Sequence, residues 1–243
     1  MKRFLTENCL FLALLLVAAA AMGAALLLVP QTSLHLWLNS GHTPFGDVFC
    51  RYYTLVAEYG IAVAALLLIF FAGAGDTLQL LAAEAGAGLT CQLIKHIVHA
   101  PRPVTVFSEA GLLEQLPLVA EVRMRLWNSF PSGHTSTFFV LCFTLCLLWN
   151  RHAAAAHKKE TYPVTSLQVA LQVALFAAAL LGGYSRIYLS QHFAADVLAG
   201  MLIGSFFAAL SDFLFRAIGQ RYPRFSAWHI AASIRRTAPH TPA

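Results

Sequence analysis

Residues 9–29 read CLFLALLLVAAAAMGAALLLV, twenty-one positions without a charge or a proline. A helix at the surface of a soluble protein keeps one polar face, whereas this stretch is apolar all round. At about 1.5 Å per residue it matches the roughly 30 Å hydrocarbon core of a bilayer. Five further runs of similar character lie near 55–74, 78–97, 134–150, 164–184 and 193–216. Backbone polar groups inside lipid must be satisfied within the segment, so each run is predicted to be a helix. The expectation is an all-α integral membrane bundle of six transmembrane helices. Composition excludes the alternatives: of 243 residues 58% are apolar and 11% charged, against about 25% charged in soluble domains. A soluble globule, a disordered chain and a nucleic-acid-binding protein are all poor readings, and the net charge of +5 must be read by position.

Basic residues mark the cytoplasmic side of a membrane protein. With the N-terminus inside, ten of the sixteen Lys and Arg residues fall on the inner face, among them Lys2, Arg3, Arg151, Lys158, Lys159 and Arg216. Arg51, Lys95, Arg102, Arg123, Arg125 and Arg186 remain outside. Both termini are therefore expected in the cytoplasm, with a single domain over residues 1–218 and a basic tail over 219–243. Met1-Lys2-Arg3 and the small residues Ala18 to Ala21 also suit a signal peptide, but the apolar run exceeds the usual 7–15 residues of such a segment and an uncleaved anchor is expected. Residues 30–54 and 104–130 form two long outer loops, the second suited to lie on the bilayer. Four of the five cysteines sit in apolar runs, so no disulfide framework is implied.

Ionisable residues at the ends of spans are costly and call for a partner, a cavity or a function. Three clusters stand out. Lys95-His96-Ile97-Val98-His99-Ala100-Pro101-Arg102-Pro103 closes the third span, with the prolines stopping the helix. Ser129-Phe130-Pro131-Ser132-Gly133-His134-Thr135 opens the fourth, with Ser132 as N-cap and Gly133 leaving the backbone approachable. Ser185-Arg186-Ile187-Tyr188-Leu189-Ser190-Gln191-His192-Phe193-Ala194-Ala195-Asp196 makes the turn between the fifth and sixth, with Ser190 expected to cap the last helix and to put His192 in its first turn. Alternating span direction brings the clusters to one side of the membrane. Three cations, two histidines, an acid and two helix N-termini suit a bound phosphate. Single snorkelling residues or satisfied bundle histidines would account for any one of these groups, but not for all of them at three ends facing one compartment.

The segments match K-x6-RP (Lys95, Arg102, Pro103), PSGH (Pro131, Ser132, Gly133, His134) and SR-x5-H-x3-D (Ser185, Arg186, His192, Asp196). In this the chain resembles the type 2 phosphatidic acid phosphatase and vanadium haloperoxidase superfamily, in its membrane lipid phosphatase branch. The resemblance implies that Lys95, Arg102 and Arg186 hold the phosphoryl oxygens with Ser132 and Gly133. It implies His192 as nucleophile forming a phosphohistidine, Asp196 as its orienting partner and His134 as proton donor to the leaving oxygen. No metal or other cofactor is implied. The chemistry agrees: a nucleophilic imidazole must be neutral, and a carboxylate four residues on fixes its tautomer. Fixed cations suit the charge spread over a transferring phosphoryl group.

The implied substrates are lipids in the outer leaflet of a cytoplasmic membrane, with the site on the periplasmic or outer side: phosphatidate, phosphatidylglycerophosphate, undecaprenyl diphosphate or a lipid A phosphate. A phosphotransferase using the same phosphohistidine, and a non-catalytic binder of phosphorylated lipids, are the alternatives. His96 and His99 raise a zinc reading, without an acid or thiol nearby in sequence. Glu84, inside the third span, reads as an interhelical hydrogen bond or as part of a proton or substrate path. Arg123 and Arg125 read as surface charge or as contacts to a second anionic group.

Overall fold

The computed structural model describes residues 2–156 and 164–222. Lys158, Lys159 and the tail beyond residue 222, with Arg224, Arg235 and Arg236, lie outside the described residues. The described chain is all-helical. In order it forms α1 (Lys2–Glu7), α2 (Cys9–Leu28), α3 (Gln31–Leu38), α4 (Pro44–Tyr53), α5 (Val56–Phe71), α6 (Ala74–Val98), α7 (Pro103–Glu109), a 3-10 turn (Leu113–Gln115), α8 (Gly133–Ala156), α9 (Ser166–Tyr188) and α10 (Ala194–Arg221).

Four helices, α2, α8, α9 and α10, are long and apolar enough to cross a membrane, and α4 with α5 makes a fifth candidate bent by 46°. The chain is a multi-pass membrane protein. The sixth expected span falls on α6, whose 25 residues include Asp76, Gln79, Glu84, Gln92 and Lys95. These keep it off the set of helices that qualify by composition. Two of these polar residues have packed positions: Gln79 and Asp76 are buried, and both bond to Arg151 of α8. Asp212 of α10 takes a hydrogen bond from Arg151 at 3.2 Å and another from Arg216 at 2.6 Å. Opposite charges thus join α6, α8 and α10 at the end of the bundle away from Lys95.

Helix α8 is the axis. Its span is 67% buried where that of α2 is 11%. Phe138, Phe139, Val140, Phe143, Cys146 and Leu147 are all enclosed. Phe11 of α2 stacks on Phe143 at 4.3 Å, one of the few inward contacts of an otherwise lipid-facing helix. On the other side, Gly200 and Gly204 let α10 lie directly on α8. A Cβ at Gly200 would stand 2.4 Å from the Ser132 carbonyl oxygen, and one at Gly204 2.3 Å from that of Ser136. Small residues four apart permit this backbone contact, a common means of holding helices together in lipid.

Several element boundaries shift: both expected outer loops contain helices, α3 and α4 in the first and α7 in the second, and α8 runs six residues past its expected end at 150. Residues 44–53, expected in an outer loop, are helical, started by Thr43, whose side chain accepts a hydrogen bond from the Gly46 N–H, and by Pro44 at the first helical position. Helix α9 runs to Tyr188, so Ser185 and Arg186 lie in its last turn rather than in the connection. Helix α10 extends to Arg221, past the expected span end at 216.

Candidate active site

The C-terminal ends of α6 and α9 and the N-terminal ends of α8 and α10 converge, at the end of the bundle away from Arg151, and α5 joins them. Helix α6 stops at His99, whose left-handed backbone (φ 48°) turns the chain toward Pro101 and Arg102. Arg102 folds inward, 4% exposed. It donates from Nε to the Trp127 carbonyl at 3.1 Å, and from Nη1 to the carbonyl and side-chain oxygens of Gln191, each at 3.0 Å. Burial, with Arg125 nearby, pushes its guanidinium down to about 10, which leaves it charged at neutral pH. Lys95 comes from the last turn of α6, and its Nζ lies 3.9 Å from the point where a Cβ of Gly133 would sit. The bare backbone at Gly133 is therefore open to the ammonium group.

Helix α8 begins at Gly133, with Ser132 in the capping position. Its Oγ accepts from the Thr135 backbone N–H at 3.4 Å and from the Thr135 hydroxyl at 2.8 Å. This loop is fastened to α10 at two points, Ser132 N–H to the Asp196 carbonyl at 2.9 Å and Ser129 Oγ to Asp196 Oδ2 at 2.5 Å.

The expected cap by Ser190 is not what the chain does. Ser190 has φ 50°, and its hydroxyl accepts from Asn39 and donates to the Pro117 carbonyl. Helix α10 starts at Ala194, and Asp196 reaches back to take the Phe193 N–H at 2.9 Å. A carboxylate three positions into a helix satisfies one of the unpaired N–H groups at its start and complements the helix dipole, so a separate serine cap is not needed. His192 consequently sits in the connecting loop. The loop is held tightly, because the N–H groups of Gln191 and His192 both donate to the Arg186 carbonyl, at 3.0 and 3.2 Å.

His192 is 1% exposed, with Nδ1 3.3 Å from Asp196 Oδ2. That oxygen also receives the Ser129 hydroxyl and the Phe193 N–H, a set of donors suited to an ionised carboxylate. The proton of the ring then belongs on Nδ1, and Nε2 holds the lone pair. Burial first, then Arg102, Arg186 and Lys95, hold the His192 imidazolium well below its ordinary range, so the ring is neutral at physiological pH. Arg186 is itself buried and donates from Nη1 to Thr54 Oγ1 at 2.6 Å, while its Nε has no partner among the described residues. His134 projects from the first turn of α8 with Nε2 3.4 Å from Glu58 Oε1.

All eight residues singled out in the sequence therefore gather at one end of the bundle. The others divide. Glu84 accepts the Thr137 hydroxyl at 2.7 Å, an interhelical bond between α6 and α8. His96 bonds the Gln92 carbonyl of its own helix and His99 stacks over Trp127. No group of three or more His, Cys, Asp or Glu side chains gathers as a metal-ligand cluster among the described residues. Arg123 contributes its carbonyl to Gln191. Thr54, Glu58, Ser129 and Gln191 were not assigned roles from sequence. An acid in the first turn of an apolar span was the signal for Glu58, by the same reasoning that picked out Lys95.

Fold and site together define a multi-pass helical membrane protein with a His–Asp pair buried beneath three cations. The PAP2 superfamily model matches residues 76–219, more than half of the chain, and the chain belongs to that superfamily. It is 26% identical over 153 residues to a lipid A 1-phosphatase of Rhizobium johnstonii, a match covering 63% of this chain and 53% of the relative. A lipid A 1-phosphatase of Rhizobium etli is 26% identical over 133 residues, with 55% and 47% covered. The chain spans about half the length of the curated relatives it matches. Among solved structures it is similar to Aquifex aeolicus LpxE, with 26% identity, TM-score 0.57, and 75% of this chain and 94% of that one covered. A transmembrane PAP2-type phosphatidylglycerolphosphate phosphatase from Bacillus subtilis shares the fold at 21% identity and TM-score 0.57, with 91% and 99% covered.

Proposed function

We propose that the protein is a metal-independent lipid phosphatase that hydrolyses a lipid phosphate monoester or diphosphate in the outer leaflet of the cytoplasmic membrane through a phosphohistidine. The observation that carries this reading is the His192–Asp196 pair, with Nδ1 directed to the carboxylate at 3.3 Å under Lys95, Arg102 and Arg186. The Nε2 lone pair attacks phosphorus, the N–P bond forms and the P–O bond to the lipid breaks. The departing oxygen takes a proton from His134. Water, deprotonated by the now neutral His134, then displaces His192 and releases inorganic phosphate. The three cations, with Ser132 and the backbone at Gly133, hold the equatorial oxygens as charge builds on them.

In this reading α6 is the sixth span, with both termini cytoplasmic, residues 1–218 form one domain and the basic tail lies on the inner side. An apolar groove supports a lipid substrate. Tyr52, Leu55, Val56, Tyr59, Gly60 and Leu141 are among its lining residues, and its volume is about 460 Å³. Leu55 and Tyr59, which line it, flank Glu58 along α5, so an acyl or prenyl tail lying there would stay in the membrane while the phosphate meets the cations. The named activity of the relatives makes a lipid A 1-phosphate the first substrate to test.

The experiment is phosphate release by detergent-purified protein from lipid A, phosphatidate, phosphatidylglycerophosphate and undecaprenyl diphosphate, with chelator present and the His192→Ala variant as blank. Release from at least one lipid that disappears in the variant is expected. Stoichiometric donor consumption without free phosphate would instead identify a phosphotransferase, and lipid binding unchanged by His192→Ala with no turnover a non-catalytic binder.

A further inference from the structure

The three motifs lie on α6, α8, the connecting loops, α9 and α10, yet the site has another contributor that none of them contains. Where α4 gives way to α5, the bend turns two side chains, four residues apart, into the site. Thr54 Oγ1 accepts from Arg186 Nη1 at 2.6 Å, and Glu58 Oε1 lies 3.4 Å from His134 Nε2. With Nε2 engaged, the other ring nitrogen of His134 makes no hydrogen bond among the described residues. Nδ1 is then the atom available to a leaving oxygen.

We propose that Glu58 is the positioning residue for His134: its carboxylate holds the ring through Nε2–H and stabilises the imidazolium whose Nδ1–H protonates the leaving oxygen. The inference deepens the phosphatase reading and rests on it. The other charged and titratable groups around His134 are Arg186 of α9, His192 of the loop, Lys95 of α6 and Arg102 beyond it. Among the described residues Glu58 is the one acid paired with the ring. Three cations that favour a phosphate dianion also repel a protonated histidine beside it, and a carboxylate on the far nitrogen offsets that repulsion without competing for the phosphoryl oxygens. A separation of 3.4 Å is long for a direct bond, and such contacts commonly tighten when substrate is bound.

The proton account closes. In the first step His134 Nδ1–H goes to the lipid oxygen as the P–O bond breaks and the N–P bond to His192 forms. In the second, Nδ1 removes a proton from the attacking water as the N–P bond breaks. Glu58 stays ionised through both steps and keeps Nε2–H. Its influence therefore scales with how much the leaving oxygen needs a proton, which separates it from a residue that merely supports the fold.

The test compares kcat/KM for an alkyl phosphate, a poor leaving group, with that for p-nitrophenyl phosphate, whose phenolate leaves with little help. In Glu58→Gln the ratio of the aryl to the alkyl value should rise by about tenfold or more, on the scale of general acid catalysis. Glu58→Asp should bring it back toward the wild-type ratio. An unchanged ratio, with both substrates equally slowed or neither slowed, overturns the assignment. Residual p-nitrophenyl phosphate turnover in Glu58→Gln shows that the variant is folded. Absence of phosphate release from every substrate by the wild-type protein would instead remove the phosphatase reading itself.

Discussion

Asp196 holds four groups at once: His192 Nδ1 at 3.3 Å, the Ser129 hydroxyl at 2.5 Å, the Phe193 N–H at 2.9 Å and, through its own carbonyl, the Ser132 N–H at 2.9 Å. One residue of α10 therefore sets the tautomer of the imidazole and fastens the loop that opens α8. The two histidines of the site, though on different elements, are placed relative to one another by this single acid.

Replacing its carboxylate tests the first of those duties. Asp196→Asn keeps the shape but offers an amide that can place the wrong ring nitrogen in the donor position. By analogy with triads in which the same change misorients a histidine, kcat should fall by about 10³- to 10⁴-fold. Initial rates of phosphate release check this, and a loss of less than tenfold would mean that His192 does not depend on the carboxylate.

The proposed role of His192 as nucleophile can be tested by trapping. Acid-sensitive, base-stable label from a radioactive phosphate donor should appear on the wild-type chain after rapid quenching and be absent from His192→Ala. In His134→Ala, label from an activated aryl phosphate should still form and should persist longer, because the water in the second step has lost its base. Label that survives in His192→Ala would place the nucleophile elsewhere.

Contact between α10 and α8 is backbone on backbone at Gly200, where a Cβ would stand 2.4 Å from the Ser132 carbonyl oxygen. Nothing there is a flexible side-chain end that can swing away. Gly200→Ala should cost about 1–3 kcal/mol, the usual penalty for overpacking, and should slow turnover as well, since Ser132 and Asp196 are pushed apart. Thermal unfolding in detergent and kcat on the same preparation measure the two effects. Unchanged values for both would show that the helices are not in contact at this point.

Much of this arrangement was legible in the chain. Apolar runs marked the long helices because lipid removes the option of a polar face, and Lys95, Arg102, His134 and Arg186 stood out because charge at a span end is expensive. The failures have equally local causes. Ser190 looked like a cap, but Asp196 already satisfies the start of α10. The apolar count ended α9 too early, because Arg186 is buried against Thr54 rather than exposed at the surface. Helix α6 carries polar residues that only a view of Arg151 explains. Glu58 carries the same signal as Lys95, a charge at the end of an apolar run, but its partner lies 76 positions away, so the signal alone does not say what the acid does.

The groove between α5 and α8 gives a prediction on substrate length. Gly60 lines the groove, and a Cβ there would lie 3.0 Å from Leu141 Cδ2 and 3.1 Å from Val56 Cγ1, so Gly60→Leu should displace these side chains and narrow the groove. KM for a long-chain lipid phosphate should rise several-fold while that for a water-soluble short-chain phosphate moves little, since remote apolar contacts act as binding energy. Equal changes for both substrates would separate the groove from the substrate tail.

His35 supplies the last prediction, one about pH. The ring is 1% exposed, lies 5.2 Å from Phe193, and has its Nδ1 buried without a hydrogen-bond partner among the described residues. Burial lowers its pKa to about 4, against a smaller opposing pull from Asp196. Unfolded, the same ring titrates near 6.5. Between those values the unfolded chain binds the extra proton, so His35 leaves stability unaffected above about pH 6.5 and destabilises progressively as pH falls toward 4. At pH 5 the loss is about 2 kcal/mol, 1.4 kcal/mol for each unit below the unfolded value. His35→Leu should remove that component. Unfolding of wild type and variant in detergent at pH 7.5 and pH 5 should show a smaller acid-induced drop in the variant. Parallel drops would mean that His35 is accessible to protons in the folded protein, and that its contact with Phe193, next to His192, is looser than the packing indicates.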